Sequence, residues 1–306
     1  MTHVRDRATH IIRLAAPVAM TLLATVYAGG SSQQAPQSAT PQSATPQGTP
    51  PRTASPFQRP EPLDYANREG WTRIFDGQSL TGWSGNPQVW SVEDGAITAS
   101  STAEHRVGST HIIWTGGEPA DFELKLEMKL DGDIHSGIAY RSAADPGRAQ
   151  APRSGASAGA STPPPRAMPA LAVPVDPKWT LYGPGLDYDA DRNMAGNVED
   201  RGTPRREVAW RGGIVLSEPG QRPRLIGSIG DGDAMMALLK PDAWNQIHII
   251  ARGHQLTHII NGQLMTVLID EDPQYFRAKG QIGLQIEQYG AGRVHFREIW
   301  LKEFTP

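Results

Sequence analysis

Between Asp121 and Asp131 apolar and charged residues alternate without a break. Phe122, Leu124, Leu126, Met128 and Leu130 interleave with Asp121, Glu123, Lys125, Glu127, Lys129 and Asp131. Successive side chains of a strand point to opposite faces, so this run is half of a sheet with one buried face and one wet face. Two tight-turn dipeptides extend the pattern. Asp94-Gly95 sits between Trp90-Ser-Val and Ala96-Ile-Thr, and Asn261-Gly262 sits between residues 256–260 and 264–269; both fit two-residue hairpin turns. Further strands are expected at 111–115, 137–141, 179–182, 246–252, 281–287 and 293–304. The last shows a parity break, with Val294 and Phe296 on one phase and Ile299 and Leu301 on the other. A bulge near Arg297-Glu298 reconciles them, burial on both faces being the alternative. Many short strands with almost no helical periodicity predict an all-β, antiparallel sandwich or barrel.

The ends and one interior stretch are of a different kind. Residues 1–30 carry Arg5, Arg7 and Arg13 before an apolar run from Leu14 to Tyr27. At 14 residues that run is too short to span a bilayer, which takes about 20, and it reads as a signal peptide. Export to the periplasm or the medium, with no membrane span after signal removal, is the expectation. Residues 31–66 form a Pro/Ser/Thr/Gln-rich linker in which Pro-Gln-Ser-Ala-Thr occurs twice, and residues 143–177 form a similar insertion. Such composition buries too little apolar surface to offset its ordering entropy. One domain, 67–306, interrupted by that insertion, is expected.

Composition removes several function classes. The chain has no cysteine among its 306 residues, which excludes thiol nucleophiles and thiolate metal sites. A net charge of −3 with 20% charged residues gives no footprint for a phosphate backbone, so nucleic acid is not an expected partner. Metalloprotease, nucleophile-elbow and phosphate-loop motifs are absent from the sequence. His254 and His258 read as surface residues and not as a metal pair. The most suggestive run is Asp187-Tyr-Asp189-Ala-Asp191. On a strand its carboxylates would share one face, where crowded like charges raise one another's pKa or attract a cation. An EF-hand does not fit, because Arg192 and Val198 occupy its glycine and glutamate positions. A site cluster and a solvated turn remain the two readings. Downstream, Glu199, Asp200, Arg201, Arg205, Arg206 and Arg211 form a mixed-charge segment suited to a substrate-facing rim or a solvated loop. Among the tryptophans, Trp90, Trp114, Trp210, Trp244 and Trp300 read as core or rim packing, and Trp83 as a groove residue.

In order along the chain, residues 70–83 (GWTRIFDGQSLTGW), 90–97 (WSVEDGAI), 121–127 (DFELKLE), 136–141 (SGIAYR), 244–245 (WN), 259–262 (IING) and 280–285 (GQIGLQ) resemble the 3-keto-disaccharide hydrolase family. The resemblance implies a jelly-roll sandwich of the concanavalin A-like type whose concave sheet binds sugar. It also implies chemistry on a glycoside already oxidised at C3 by a separate sugar dehydrogenase. The C3 carbonyl acidifies the C2 proton; a base removes it, the C1 substituent leaves, and water adds. Carried over by position, Asp187, Asp189 and Arg141 are the candidate catalytic residues, with Trp83, His135, Tyr140, Arg211 and Gln285 the candidate substrate contacts. No cofactor is required by this scheme, and a divalent cation, if one binds, would be held by Asp187 and Asp189. His135 stands where relatives commonly carry Asn, and Gly183-Pro184-Gly185 interrupts a segment often acidic or amide-bearing in relatives. The alternative function on the same fold is a non-catalytic, lectin-like carbohydrate-binding module.

Overall fold

A computed structural model describes residues 64–144, 171–173, 175–287 and 290–304. The predicted signal peptide, most of the predicted linker and the centre of the predicted insertion lie outside the described residues. In chain order the strands are β1 (Thr72–Arg73), β2 (Trp83–Ser84), β3 (Trp90–Glu93), β4 (Ala96–Ser101), β5 (Thr110–Trp114), β6 (Phe122–Gly132), β7 (His135–Ala144), β8 (Leu181–Asp189), β9 (Val198–Arg201), β10 (Arg206–Ala209), β11 (Gly213–Ser217), β12 (Arg224–Ser228), β13 (Asn245–Arg252), β14 (Gln255–Ile260), β15 (Gln263–Asp270), β16 (Gln281–Ile286) and β17 (Gly292–Glu303). One short helix, α1 (Gly232–Met235), lies between β12 and β13. Among the described residues no helix is long and apolar enough to cross a membrane.

The strands form two sheets, as the alternation requires. One has the order β12-β11-β15-β14-β13-β6-β17-β4-β3, with β1 added beside β17; the other runs β10-β9-β8-β7-β16-β5-β2. Pairing is antiparallel except between β11 and β15. The inward faces meet in one apolar cluster. It joins Phe122, Leu124, Leu126 and Met128 of β6 to Ile138 and Tyr140 of β7, Leu186 and Tyr188 of β8, and Leu284 and Ile286 of β16. The chain is therefore an all-β two-sheet sandwich of the jelly-roll class.

Local signals are realised where backbone chemistry was explicit. Asp94-Gly95 and Asn261-Gly262 both adopt positive φ at two successive residues, the conformation of a tight hairpin turn. In β17 the register against β6 shifts between Arg297 and Trp300, and Glu298 has φ 50°. That is the predicted bulge, and it lets Val294, Phe296, Ile299 and Leu301 all face the core. The outer face of β6 is not uniformly wet, however. Residues from Asp64 onward cross it: Tyr65 Oη donates to Leu126 O at 2.6 Å, and Lys125 Nζ lies 4.4 Å from the Trp71 ring centroid. Lys125 is consequently buried, its stem covered and its cation facing aromatic rings. Tyr65, which composition places in the linker, is thus part of the folded body.

Two further expectations are corrected here. Trp83 lies in the core and not in a groove; it is 8% exposed and its Nε1 donates to Ile74 O at 2.8 Å. Tyr140 is fully buried between the sheets, so it does not face a ligand. Its Oη bonds His258 Nε2 at 2.8 Å, and the two rings meet edge-on. His258 is likewise interior and not a surface residue. The parity of β7 explains Tyr140, since Ile138 and Tyr140 share the core phase while Gly137 and Ala139 take the other. Replacing Tyr140 by Phe should lower unfolding stability by about 1–2 kcal/mol, because His258 loses its buried partner. Urea denaturation checks this, and sugar affinity should not change.

Candidate functional site

The outward face of the seven-stranded sheet follows from the same alternation. With Ile112, Leu284, Ile138, Leu186 and Val198 inward, His111 and Gln285, Gly137, Asp187 and Glu199 face outward on successive strands. Register sets four of them in one row: His111 opposite Gln285, Gln285 opposite Gly137, and Gly137 opposite Asp187. A Cβ at Gly137 would stand 2.9 Å from Gln285 Oε1 and 2.7 Å from Leu186 O, so glycine is what lets the Gln285 side chain lie across this row. This polar row on the outer side of the seven-stranded sheet is the candidate trough.

Carboxyls crowd the β8–β10 side of this trough. Glu207 stands directly opposite Glu199, and the negative charges of both act on Asp187 on the neighbouring strand. Carboxyls crowded in this way favour protonation of one of their number. Burial, then the negative charges of Glu199, Glu207 and Glu287, push the Asp187 carboxyl well above the usual carboxylate range. Burial first and Glu199 second raise Glu207 to about 7. Burial also raises Glu199. One cation balances the cluster: Arg201 Nη2 lies 3.3 Å from Glu199 Oε2 and 2.5 Å from Glu287 Oε1. Burial disfavours that guanidinium, but Glu199 and Glu287 outweigh it and hold it charged. Carboxyls raised above their ordinary range beside a fixed positive charge are the equipment of acid–base chemistry.

Amides and an imidazole frame the cluster. Gln285 Nε2 donates to Glu287 Oε1 at 2.8 Å. Asn197, fully buried, donates from Nδ2 to Glu207 Oε2 at 3.4 Å and accepts the Arg211 backbone N–H at Oδ1 at 2.9 Å. His111 is held neutral, its pKa lowered to about 3 by burial and by the nearby Arg201 charge.

The sequence-predicted residues divide accordingly. Asp187 and Gln285 lie in the trough. His135 begins β7 on the same side, opposite Asp189. Asp189 shares the face of Asp187, as alternation predicts, yet it serves the β8–β9 turn. Its carboxyl accepts the Met194 N–H at 3.0 and 3.1 Å; burial first and the neighbouring Asp191 carboxyl second raise it to about 7. Arg141 does not reach the trough chemistry. Its guanidinium donates to Ala120 O at 2.8 Å, Gly253 O at 2.7 Å, Arg277 O at 3.4 Å and Asp121 Oδ1 at 2.9 Å. Arg211 is similarly occupied by the carbonyls of Gly232, Arg192 and Ala195 at 2.6, 3.0 and 2.6 Å. Both arginines staple loops. Among the described residues no group of three or more His, Asp and Glu is arranged to hold a metal ion.

Sequence reasoning misses Glu207, Glu287 and His111, and it places Glu199 and Arg201 only in a mixed-charge rim or loop. The available signal was the alternation of Val198, Glu199, Asp200 and Arg201, with Glu199 and Arg201 on one phase. Short, highly charged strands carry too little β-propensity for that phase to stand out.

Comparison with known proteins places the chain on familiar ground. A family model described as a 3-keto-alpha-glucoside-1,2-lyase-like domain matches residues 70–302. A 3-keto-disaccharide hydrolase from Bacteroides thetaiotaomicron is 33% identical over 79 residues, 24% of this chain and 27% of that protein. The chain thus aligns with little more than a quarter of that curated relative. Among solved structures, a Parabacteroides distasonis protein described as a candidate glycosyl hydrolase has TM-score 0.45 at 16% identity, covering 78% of this chain and 95% of the other. A carbohydrate-binding module from Bacillus subtilis has TM-score 0.41 at 13% identity, covering 72% and 96%.

Proposed function

The chain belongs to the 3-keto-alpha-glucoside-1,2-lyase-like family, and on that premise we propose that its trough is the active site of an exported enzyme that cleaves 3-keto-glycosides. The observation that carries the reading is the crowding of Asp187, Glu199 and Glu207 carboxyls on adjoining strands beside Arg201. In this mechanism an ionised carboxyl of the cluster takes the C2 proton, and the electron pair moves into an enolate on the C3 oxygen. Arg201 offsets the charge that develops there. The enolate then expels the C1 oxygen, which takes the proton held by another carboxyl of the cluster, and the C1–O bond breaks to leave a C1–C2 double bond. Water adds across it, its oxygen to C1 and a proton to C2, giving the free 3-keto-sugar. Substrate supply requires a dehydrogenase that oxidises C3 beforehand.

Incubating the full chain with a 3-keto-glucoside, with and without chelator, tests the reading. Released aglycone that disappears in Asp187→Asn supports it, and the chelator arm reports whether a divalent cation takes part. Saturable sugar binding with no product would favour the carbohydrate-binding module instead. Export rests on residues 1–30; expression of the full chain in a bacterial host should place the protein outside the cytoplasm with that segment removed, and cytoplasmic retention of the intact chain would refute it.

A further inference from the structure

We propose that Trp210 is the stacking platform for the sugar ring on the leaving-group side of the substrate, so that the trough selects 3-keto-disaccharides over glycosides with small aglycones. This deepens the active-site reading above and rests on it. The inference starts from register. Glu207 is opposite Glu199 and faces the trough, whereas Ala209 is opposite Val198, a core residue. Val208 is the extra residue between them, and it too is in the core. Continuing the alternation past this bulge turns Trp210 back to the trough side.

Exposure is the second observation. Trp210 is 56% exposed, and among the described residues it is the one aromatic in the set of exposed large apolar side chains. An indole in solvent contributes little to folding, and its flat face suits the C–H face of a pyranose.

The third observation is rigidity. Gly213 N donates to Trp210 O at 3.1 Å, and the next residue, Arg211, donates its backbone N–H to Asn197. Asn197 is the same amide that reaches Glu207. One buried side chain therefore fixes both the Glu207 carboxyl and the backbone beneath the indole, and a pre-ordered aromatic loses little entropy on binding. Trp210 follows directly on the end of β10, three steps along the chain from Glu207, at most roughly 10 Å, which is room for the reacting ring and its neighbour.

The test uses Trp210→Ala and Trp210→Phe in the full chain against two substrates, a 3-keto-disaccharide and methyl 3-keto-glucoside, whose aglycone is too small to reach the indole. Trp210→Ala should raise KM for the disaccharide by about 10-fold, in line with the energy of an aromatic stacking contact, with kcat little altered. Trp210→Phe should recover most of the loss, and KM for the methyl glycoside should not move. Equal changes for both substrates, or none, would overturn the proposal. If wild type turns over neither substrate, the catalytic reading fails separately, and fluorescence decides the platform. Titration with an unoxidised glucose disaccharide should perturb wild-type emission and leave Trp210→Phe unchanged. Identical responses from the two proteins would overturn it.

Discussion

Glu207→Gln is expected to cut turnover of a 3-keto-glycoside by about 10²–10⁴-fold, the usual range for loss of a general acid or base, with KM changed far less. The amide keeps the shape of the side chain and its oxygen can still accept from Asn197, so folding should survive. What it removes is the ionisable group. In wild type the rate should rise through pH of about 7, where burial and Glu199 place the Glu207 titration. The same shift has a consequence for stability. A carboxyl whose folded pKa is raised binds its proton more tightly in the folded chain than in the unfolded one. Between the ordinary carboxylate value and about 7 the unfolded chain has released that proton and the folded chain has not, so stability falls as pH rises through this window. Glu207→Gln should flatten that slope. A variant with a wild-type rate profile would remove Glu207 from the chemistry.

Arg141→Ala should act the other way, on folding and not on catalysis. The guanidinium is 1% exposed and ties the carbonyls of Ala120, Gly253 and Arg277 to the carboxylate of Asp121. Removing it strands buried acceptors and opens a cavity, at a cost of about 3 kcal/mol. The Asp121 pair itself adds little, because that carboxylate is partly solvated. For a domain of this size such a loss lowers Tm by roughly 10 °C. Arg141→Lys should rescue little, since an ammonium lacks the planar fork that meets several acceptors at once. Calorimetry checks the loss, and at a temperature where the variant remains folded its kcat should lie near wild type. A collapsed kcat with an unchanged Tm would return Arg141 to the candidate catalytic group.

The contrast between Glu207 and Arg141 shows what the sequence makes legible. Strand β6, both hairpin turns and the β17 bulge follow from side-chain phase and local backbone chemistry, which are written residue by residue. Asp187 and Gln285 are legible because they sit on strands with clear core phases. Tyr140 and Arg141 lie on β7, the strand between those two, and parity correctly makes Tyr140 a core residue; only the family resemblance suggests otherwise. Which arginines staple carbonyls and which face carboxylates depends on contacts between separate elements, such as Arg141 with Gly253 and Arg201 with Glu287. No local pattern encodes those. Strands β9 and β10 are illegible for a related reason: each is four residues long and rich in charge, so Val198 in one and Val208 and Ala209 in the other are too few to mark a core phase.

Deuterium incorporation at C2 tests the central claim most directly. Turnover of a 3-keto-disaccharide in D2O, followed by NMR against an enzyme-free control, should give a 3-keto-sugar product carrying solvent deuterium at C2, and Glu207→Gln should release neither product nor deuterated substrate above the control. Product released at full rate with its original C2 proton intact would mean that the C1–O bond is cleaved without deprotonation, and the carboxyl cluster would not have the role assigned to it.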